Sequence, residues 1–580
     1  MTCSSSARVA LLSLVLVGAL SGTSHAQQAI LRYDALHHPV KGAHGMVVSQ
    51  RATASRVGAD VLAAGGNAVD AAVATAFALA VVLPRAGNLG GGGFMLVHQA
   101  GAADAETYDF REQAPLAATP AMFVDADGRV DQERYRYSLK ATGVPGTVAG
   151  LAHAWRAHGS LPWRTLVEPA IALARDGFVV GYDFAQALRS RRERLNRDPY
   201  TTALFFKPDG SGYAPGERFR QPDLARTLEA IAAEGIDGFY SGWVAERLLA
   251  EMRRDGGLIS QADLDGYRVI ERPPVEGRFR GHRIVSMPPP SSGGVHLVQM
   301  LNVLDHFPLQ DWGAGSARVL HVLAETMKRA YADRSAHLGD PDFHTVPVDW
   351  LTSRQYAAAL AATISLDRAT PAAEIRPGTP APPESPDTTH LSVMDARGNA
   401  VALTYTLNFS FGNGRAVPGA GFLLNNEMTD FSAKAGEPDA FGLVTGLANA
   451  VAPGKRPLSA MTPTLVLRDG RAVLATGSPG GSRIINAVLQ NVVQVLVFGD
   501  NVAEAVFAPR IHHQWLPDRL RYERGVNPDT LDRLRALGHP LEAGNAMGSV
   551  QSIAWDGALF LGAADPRRPD AGAVAAEAAR

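Results

Sequence analysis

The sequence predicts a mixed α/β protein in which antiparallel sheets are stacked and covered by helices. Three segments of the second half place a short polar turn between two alternating runs, which is typical of β-hairpins: LSVMDARGNAVALTYT, PTLVLRDGRAVLATGS and QSIAWDGALFLGAA. Helical patterns precede and separate these hairpins. Because each sheet must bury a face against another layer, the simplest arrangement is stacked sheets with helices on their outer faces.

The first 26 residues have the pattern of a secretory signal peptide. Arg8 precedes an apolar run at 9–20, and SHA at 24–26 has the small residues of a cleavage site. The run is shorter than the ~20 apolar residues that span a bilayer, so a retained anchor is the weaker alternative. We therefore expect a periplasmic or secreted protein that has no membrane attachment once the signal is removed.

Composition indicates an ordinary globular protein. The 55 basic and 57 acidic residues nearly balance, which predicts neither nucleic acid nor an anionic membrane as a partner. The single cysteine, Cys3, lies within the predicted signal peptide. The mature chain would then lack cysteine, which excludes disulfides, thiol chemistry and cysteine-ligated metal sites.

Two helices are predicted near the start of the mature chain. Thr53 is a candidate N-cap for a helix through Ala64, and Asn67 is a candidate N-cap for a second helix through about Leu83. The second helix is apolar on nearly every face, which predicts that it is buried. From about 147 to 360 the pattern is mostly helical.

A glycine-rich stretch, GNLGGGGFMLVH, occupies residues 87–98 and leads into a strand pattern. It lacks the lysine of a phosphate loop and the strand-then-helix context of a dinucleotide site. We interpret its glycines as positions where backbones pack closely.

A proline-rich segment without periodicity, residues 371–387, directly precedes the first hairpin. It could be a flexible domain linker. A second reading follows from Thr388, which begins the strand. A threonine hydroxyl is a weak nucleophile unless a base takes its proton, and the α-amine of a chain-terminal threonine, with an ordinary pKa of about 7.7–8.0, can be that base. Cleavage between Asp387 and Thr388 would create such a terminus.

The register of the first hairpin places Thr388 beside a second threonine. If the turn is centred on Arg397, Thr388 lies opposite Thr406, with the two side chains roughly 5 Å apart. A slip of one residue would exchange the faces. In this register the apolar face contains Val401, Leu403, Tyr405 and Leu407, and the polar face contains Thr388, His390, Ser392, Thr404, Thr406 and Asn408.

Several motifs occur in one order along nearly the whole chain: GGNAVDAAVA, GNLGGGGFML, DFREQAP, TGVPG, TTHLSVMDARGNAVALTYTLN, LLNNEMTDFS, GKRPLSAMTPT and TGSPGGSRI. Together they resemble the γ-glutamyltransferases (γ-glutamyltranspeptidases), which are N-terminal-nucleophile hydrolases. The resemblance implies a four-layer αββα sandwich formed jointly by a large fragment, 27–387, and a small catalytic fragment, 388–580, as a heterodimer. It also implies transfer of the γ-glutamyl group of glutathione or related compounds to water, an amino acid or a peptide, with no cofactor and no metal.

The resemblance assigns the catalytic roles. The bond between Asp387 and Thr388 is the implied processing site, and Thr388 is the implied nucleophile, which forms the γ-glutamyl ester. The Thr406 hydroxyl supports that nucleophile. Gly480 and Gly481 are similar to the oxyanion hole of the family, in which backbone N–H groups stabilise the tetrahedral intermediate.

The resemblance also assigns substrate recognition. A γ-glutamyl group presents an α-carboxylate and an α-ammonium. Arg111 is similar to the residue that clamps the carboxylate, which suits the bidentate fork of arginine, and Ser459 adds a hydroxyl donor. Asn408, Glu427 and Asp430 are similar to the acceptors for the ammonium.

Two positions depart from the family pattern. Ala460 stands where a second serine is common, so one hydroxyl contact to the carboxylate is missing, and Phe441 lacks the aromatic hydroxyl often found on a lid loop. Two alternative functions therefore stay open: a cephalosporin or glutaryl acylase on the same scaffold, and an inactive exported binding protein. His321 and Glu325 lie one helical turn apart, but no His-Glu-x-x-His pattern supports a metal site.

Overall fold

The computed structural model describes residues 35–376, 388–434 and 447–578. The elements given below lie in the compact unit His38–Arg580. The predicted signal peptide, the processing residue Asp387 and the predicted lid residue Phe441 lie outside the described residues.

Over the described residues, two seven-stranded antiparallel sheets form the centre of this unit. The first sheet contains, in spatial order, Gly572–Ala575, Gly45–Ser49, Thr389–Asp395, Ala400–Thr406, Gly92–His98, Glu106–Phe110 and Ile270–Arg272. The second sheet contains, in spatial order, Val40–Gly42, Phe560–Ala564, Gln551–Trp555, Arg471–Gly477, Thr464–Arg468, His282–Ser286 and Val275–Phe279.

The two sheets stack face to face. The His390 ring of the first sheet lies against Gly477 of the second, where an added Cβ would come within 2.3 Å of the ring. Ser392 Oγ donates a hydrogen bond of 3.0 Å to the carbonyl of Gln551. These contacts put the polar face of the first hairpin between the sheets.

Helices cover the outer face of the first sheet. The helix Ala68–Val82 is buried along its whole length and Asn67 is its N-cap, both as predicted; the structure adds a complete capping box with Asp70. It packs in one core cluster with the apolar face of the hairpin, and Tyr405 Oη donates to the carbonyl of Ala76 at 2.9 Å. The other helices before residue 270 are Ala52–Ala63, Gln132–Tyr137, Thr147–His158, Trp163–Asp176, Tyr182–Ser190, Arg192–Leu195, Pro199–Phe205, Pro222–Glu234, Asp237–Tyr240, Gly242–Arg254 and Gln261–Gly266, with a 3₁₀ turn at Leu139–Ala141.

Further helices cover the second sheet, so the prediction of stacked antiparallel sheets between helices is confirmed. They are Gly293–Leu304, Leu309–Trp312, Ala317–His337, Val348–Leu351, Arg354–Ala362, Arg483–Val493, the π-helical Gln494–Phe498, Val502–Phe507 and Pro528–Ala536. Short elements complete the described chain: the 3₁₀ turns Ala372–Glu374, Glu427–Asp430 and Leu447–Asn449, and the short strands Phe178–Val179, Arg218–Phe219, Ile511–His512, Leu520–Tyr522 and Leu541–Ala543. No helix in this part of the chain has the length and hydropathy required to cross a membrane.

The predicted cap of the first helix is wrong. The helix begins at Ala52, and Arg51 is its N-cap residue without a side-chain cap. The Arg51 guanidinium pairs with Asp570 at 2.5 Å, and the Ala52 amide donates to the Asp570 carbonyl at 2.9 Å. These tertiary contacts fix where the helix starts, so Thr53 lies inside the first turn.

The three predicted hairpins are confirmed by the strand pairing. A fourth hairpin, Val275–Phe279 with His282–Ser286, lies in the region that was predicted to be mostly helical. Arg280 and Gly281 form its turn with φ of 47° and 79°. The strand pattern of this hairpin is weak in the sequence because Gly277 interrupts its first strand. A side chain is excluded there, since a Cβ on Gly277 would lie 2.6 Å from Val298.

Candidate active site

The site is centred on the pair Thr388 and Thr406. Thr389 pairs with Tyr405 in the ladder, which is the register predicted from the sequence. The Oγ1 atoms of Thr388 and Thr406 lie 3.3 Å apart, and both side chains are buried. Thr406 Oγ1 also accepts a hydrogen bond of 2.8 Å from the backbone N–H of Asn408. The Thr406 hydroxyl is thereby oriented toward Thr388.

The glycine-rich stretch supports the end of the Thr406 strand. Asn88 Nδ2 donates to the Thr406 carbonyl at 2.8 Å, and a Cβ on Gly91 would lie 2.0 Å from that carbonyl oxygen. The close-packing interpretation of these glycines is therefore confirmed. Any side chain at Gly91 would displace the strand that presents Thr406.

His390 lies on the same face as Thr388, but its imidazole is engaged elsewhere. Its Nδ1 is 2.8 Å from Thr404 Oγ1 and its Nε2 is 3.1 Å from Ser392 Oγ. Burial lowers the pKa of His390 to about 3, so the ring is neutral at physiological pH. His390 is therefore not positioned to act as a general base for Thr388.

Arg111 forms a buried ion-pair cluster in the same cavity. Its guanidinium donates to the carboxylates of Glu427 and Asp430, and lies 3.6 Å from Glu112. Asn408 Nδ2 donates to Asp430 Oδ1 at 2.9 Å. The residue predicted to bind a carboxylate thus already holds the residues predicted to bind an ammonium.

Burial makes the carboxyl groups of this cluster hard to ionise. It raises the pKa of Glu112 to about 7, and it raises the pKa of Glu427 and of Asp430 above their ordinary values. The positive Arg111 opposes these shifts. Three carboxyl groups around one guanidinium leave the cluster able to accept a further cation.

Gly480 and Gly481 lie between the strand Arg471–Gly477 and the helix Arg483–Val493. Their φ values of 138° and 58° are accessible mainly to glycine. The N–H groups of Arg483 and Ile484 donate to the carbonyls of Gly480 and Gly481 at 3.2 and 3.1 Å. The loop therefore lies at the N-terminus of the helix, where the helix dipole contributes a partial positive charge.

Most predicted site residues line one cavity. The predicted residues in its lining are Arg111, Thr388, Thr406, Asn408, Glu427, Asp430, Ser459 and Gly481. Gly480 is not in the lining, and Asp387 lies outside the described residues.

Two residues of the site were missed by the sequence reasoning. Glu112 received no role, yet it is fully buried beside Glu427. Arg334 lines the cavity from the helix Ala317–His337 and received no role. The neighbours of Arg334 in the sequence, Asp333 and Ser335, give no signal that would have distinguished it.

His321, Glu325 and His539 bring potential metal-ligand atoms within 4.8 Å of one another. However, the Glu325 carboxylate is paired with Lys328 at 2.5 Å and Arg329 at 2.7 Å. His321 Nδ1 lies 2.7 Å from His539 Nε2. Because these partners already neutralise the carboxylate, we assign no metal role to this cluster.

A threonine at the start of a central strand, inside two stacked antiparallel sheets with outer helices, defines an enzyme of the N-terminal-nucleophile hydrolase type. The family model described as gamma-glutamyltranspeptidase matches residues 54–575. The chain belongs to the γ-glutamyltranspeptidase family.

Two curated relatives and one solved structure give the range of similarity. The chain is 52% identical to a glutathione hydrolase proenzyme of Escherichia coli (strain K12) over 92% of each chain. It is 44% identical to a glutathione hydrolase proenzyme of Pseudomonas sp. (strain A14), over 96% of this chain and 97% of the relative. A crystal structure of cephalosporin acylase from Bacillus halodurans superposes with a TM-score of 0.84 at 28% identity, covering 94% of this chain and 98% of the other.

Proposed function

We propose that this protein is an exported, self-processing γ-glutamyltransferase that acts on glutathione and related γ-glutamyl compounds. The observation that carries the proposal is the placement of Thr388 in one cavity with a guanidinium and two carboxyl groups, those of Arg111, Glu427 and Asp430. That set matches the two charges of a γ-glutamyl head. The proenzyme names of the relatives in E. coli and Pseudomonas support synthesis as a precursor that is then processed.

Processing begins with attack of the Thr388 hydroxyl on the carbonyl carbon of Asp387. The peptide C–N bond breaks, the acyl group moves to Thr388 Oγ1 as an ester, and the hydroxyl proton passes to the nitrogen, which becomes a free α-amine. Water then hydrolyses the ester, leaving a carboxylate on Asp387. The fragments 27–387 and 388–580 remain together as a heterodimer.

Turnover uses the new terminus. The α-amine of Thr388 takes the hydroxyl proton while Oγ1 attacks the γ-amide carbon of the donor. Backbone N–H groups of Gly480 and Gly481 stabilise the oxyanion, each such donor being worth about 2.7–4 kcal/mol. The leaving amine takes up the proton, and the γ-glutamyl ester passes to water or to the amine of an amino acid or peptide.

The charges of the cavity favour γ-glutamyl over glutaryl donors. A γ-glutamyl head is a zwitterion, so its carboxylate can replace Glu427 and Asp430 on Arg111 while its ammonium takes the released carboxylates and Asn408. A glutaryl group brings a carboxylate without an ammonium. It would leave buried carboxylates without a cation, which is strongly unfavourable.

Incubating the purified, cleaved protein with glutathione tests the proposal. We expect release of glutamate, and transfer to an added dipeptide. A glutaryl amide with the same leaving group measures the competing function, and we expect its kcat/KM to be at least about 100-fold lower, since hydrogen bonds to charged groups are worth about 1.5–3 kcal/mol each. Turnover of the glutaryl amide alone would assign an acylase, and no turnover of either by cleaved protein would indicate a binding protein.

Replacing Thr406 by alanine is expected to reduce kcat by about 10- to 100-fold with a small change in KM. The variant removes the hydroxyl 3.3 Å from Thr388 Oγ1 but leaves the nucleophile. A hydrogen bond to a group that develops charge contributes about 1.5–3 kcal/mol. Steady-state kinetics of Thr406→Ala and Thr406→Ser give the measurement, and equal losses in both variants would contradict a role for the hydroxyl.

Donor binding is expected to weaken as the pH falls below about 7. The pKa of Glu112 is about 7, and those of Glu427 and Asp430 are raised by burial, so these groups take up protons at higher pH than ordinary carboxyls. Protonation removes negative charge from the carboxyl cluster that attracts the donor ammonium, and KM should rise. A KM profile compared with that of Glu112→Gln checks this, because removal of the group should move the inflection; a flat profile in both proteins would oppose the assignment.

A further inference from the structure

One helix is hydrogen-bonded to two different loops of the cavity that contains Thr388. The helix Ala317–His337 is buried at every position from Val319 to Arg334. Tyr331 and Arg334 lie three positions apart on it, so their side chains are neighbours on one face of the helix. Each of the two side chains reaches a different loop.

Arg334 holds the loop that contains Ser459. Its Nε donates to Ser292 Oγ at 2.8 Å, and the Ser292 hydroxyl donates to the Ser459 carbonyl at 2.8 Å. The backbone N–H of Ser292 donates to the same carbonyl at 2.9 Å, and the N–H of Ser459 donates to the Pro290 carbonyl at 2.8 Å. Arg334 therefore acts on Ser459 through Ser292, and Ser459 belongs to the subsite proposed for the donor α-carboxylate.

Tyr331 holds the loop proposed as the oxyanion hole. Its hydroxyl donates to the carbonyl of Ser482, the residue that directly follows Gly480 and Gly481. Ser482 Oγ also donates to Gln514 Oε1 at 3.0 Å. The position of this loop is thus tied to the same helix as the position of the Ser459 loop.

A γ-glutamyl donor has to reach both loops at once. Its α-carboxylate binds at Arg111 and Ser459, and its amide carbonyl points into the proposed oxyanion hole. Two methylene groups separate the α-carbon of the donor from that carbonyl carbon. The spacing between the loops therefore determines which acyl chain places its carbonyl carbon at Thr388. A misplacement of about 1 Å is enough to cost roughly 100-fold in rate.

We propose that Tyr331 and Arg334 are positioning residues that fix this spacing, so that the enzyme selects γ-glutamyl amides over the β-aspartyl and δ-(α-aminoadipyl) amides. Those two acyl groups carry the same head charges but are one methylene shorter and one methylene longer. The inference rests on the proposed function and specifies the acyl chain accepted by the same site. Neither residue has to contact the donor, because buried side chains that are hydrogen-bonded to a loop hold it in place.

The first test measures the selectivity of the unaltered, cleaved protein. Its kcat/KM is determined for the γ-glutamyl, β-aspartyl and δ-(α-aminoadipyl) amides of one leaving amine. We expect the γ-glutamyl amide to be better than either of the others by about tenfold or more, the effect of one methylene group on enzyme specificity. Turnover of the γ-glutamyl amide without this preference would overturn the inference while leaving the proposed function intact. No turnover of any of the three would overturn the proposed function and the inference with it.

The second test assigns the selectivity to the two positioning residues. In Tyr331→Phe and in Arg334→Gln, the ratio of kcat/KM for γ-glutamyl over β-aspartyl amide is expected to fall by about three- to tenfold, as for loss of one hydrogen bond. Arg334→Lys should keep part of the ratio. A smaller fraction of correctly folded enzyme lowers both kcat values by the same factor, so it leaves this ratio unchanged.

Arg318→Gln is the matched control, since Arg318 is an exposed arginine on the same helix, and this variant should keep the full ratio. A ratio that stays at the wild-type value in Tyr331→Phe or in Arg334→Gln would overturn the role of that residue. If Arg334→Gln fails to mature, Ser292→Ala decides in its place, because it removes the hydroxyl that joins Arg334 to Ser459.

Discussion

Replacing Thr388 by alanine is expected to give a single uncut chain without γ-glutamyl transfer activity. The variant lacks the hydroxyl that attacks the Asp387 carbonyl, so no α-amine is released, and it also lacks the nucleophile for the donor. Removal of a catalytic nucleophile costs on the order of 10⁶ in kcat where it has been measured in another hydrolase. A denaturing gel and an assay of glutamate release measure both losses.

Two variants at neighbouring positions sharpen this test. Thr388→Ser keeps a hydroxyl and should retain cleavage and reduced turnover. Thr389→Val is the matched control, since Thr389 is buried and its hydroxyl makes no hydrogen bond with any described residue. It should mature normally. Cleavage of the Thr388→Ala chain at the same bond, or turnover by it, would reject Thr388 as the nucleophile, as would a small fragment that begins at another residue.

The hairpin that presents Thr388 could be predicted from the sequence because local rules determine it. The turn at Arg397 and the alternation of side chains set both the register and the faces, and the observed pairing of Thr389 with Tyr405 agrees with them. The capping box of Asn67 is equally local. Neither feature depends on contacts far along the chain.

The cluster around Arg111 could not be derived in this way. Arg111 and Glu427 are 316 positions apart, so only the tertiary fold brings them together. Resemblance to the family supplied these residues as ligands for opposite substrate charges, but it did not indicate that they pair with one another in the substrate-free protein. Glu112 and Arg334 were missed because nothing in their neighbours along the sequence distinguishes them from structural charges.

The pairing within this cluster leads to the second large effect, which concerns stability as well as binding. Arg111→Gln is expected to lower the free energy of unfolding at neutral pH by about 3–5 kcal/mol, because it leaves buried carboxylates without their cation. It should also raise the KM for a γ-glutamyl donor by about 100-fold or more, through loss of two charge-assisted hydrogen bonds. Denaturant unfolding and steady-state kinetics measure these effects separately.

The pH dependence of the stability loss distinguishes this explanation from simple loss of packing. Without Arg111 the pKa values of Glu427 and Asp430 rise further in the folded state, whereas their unfolded values do not change. The folded variant then binds more protons than the unfolded chain, so its stability falls as the pH rises and the deficit relative to wild type shrinks as the pH is lowered. Adding Glu427→Gln to Arg111→Gln removes one unpaired carboxylate and should restore part of the stability at neutral pH. A deficit that is independent of pH and unchanged in the double variant would mean that Arg111 stabilises the fold through packing, and that its charge is not needed to hold the two carboxyl groups in place.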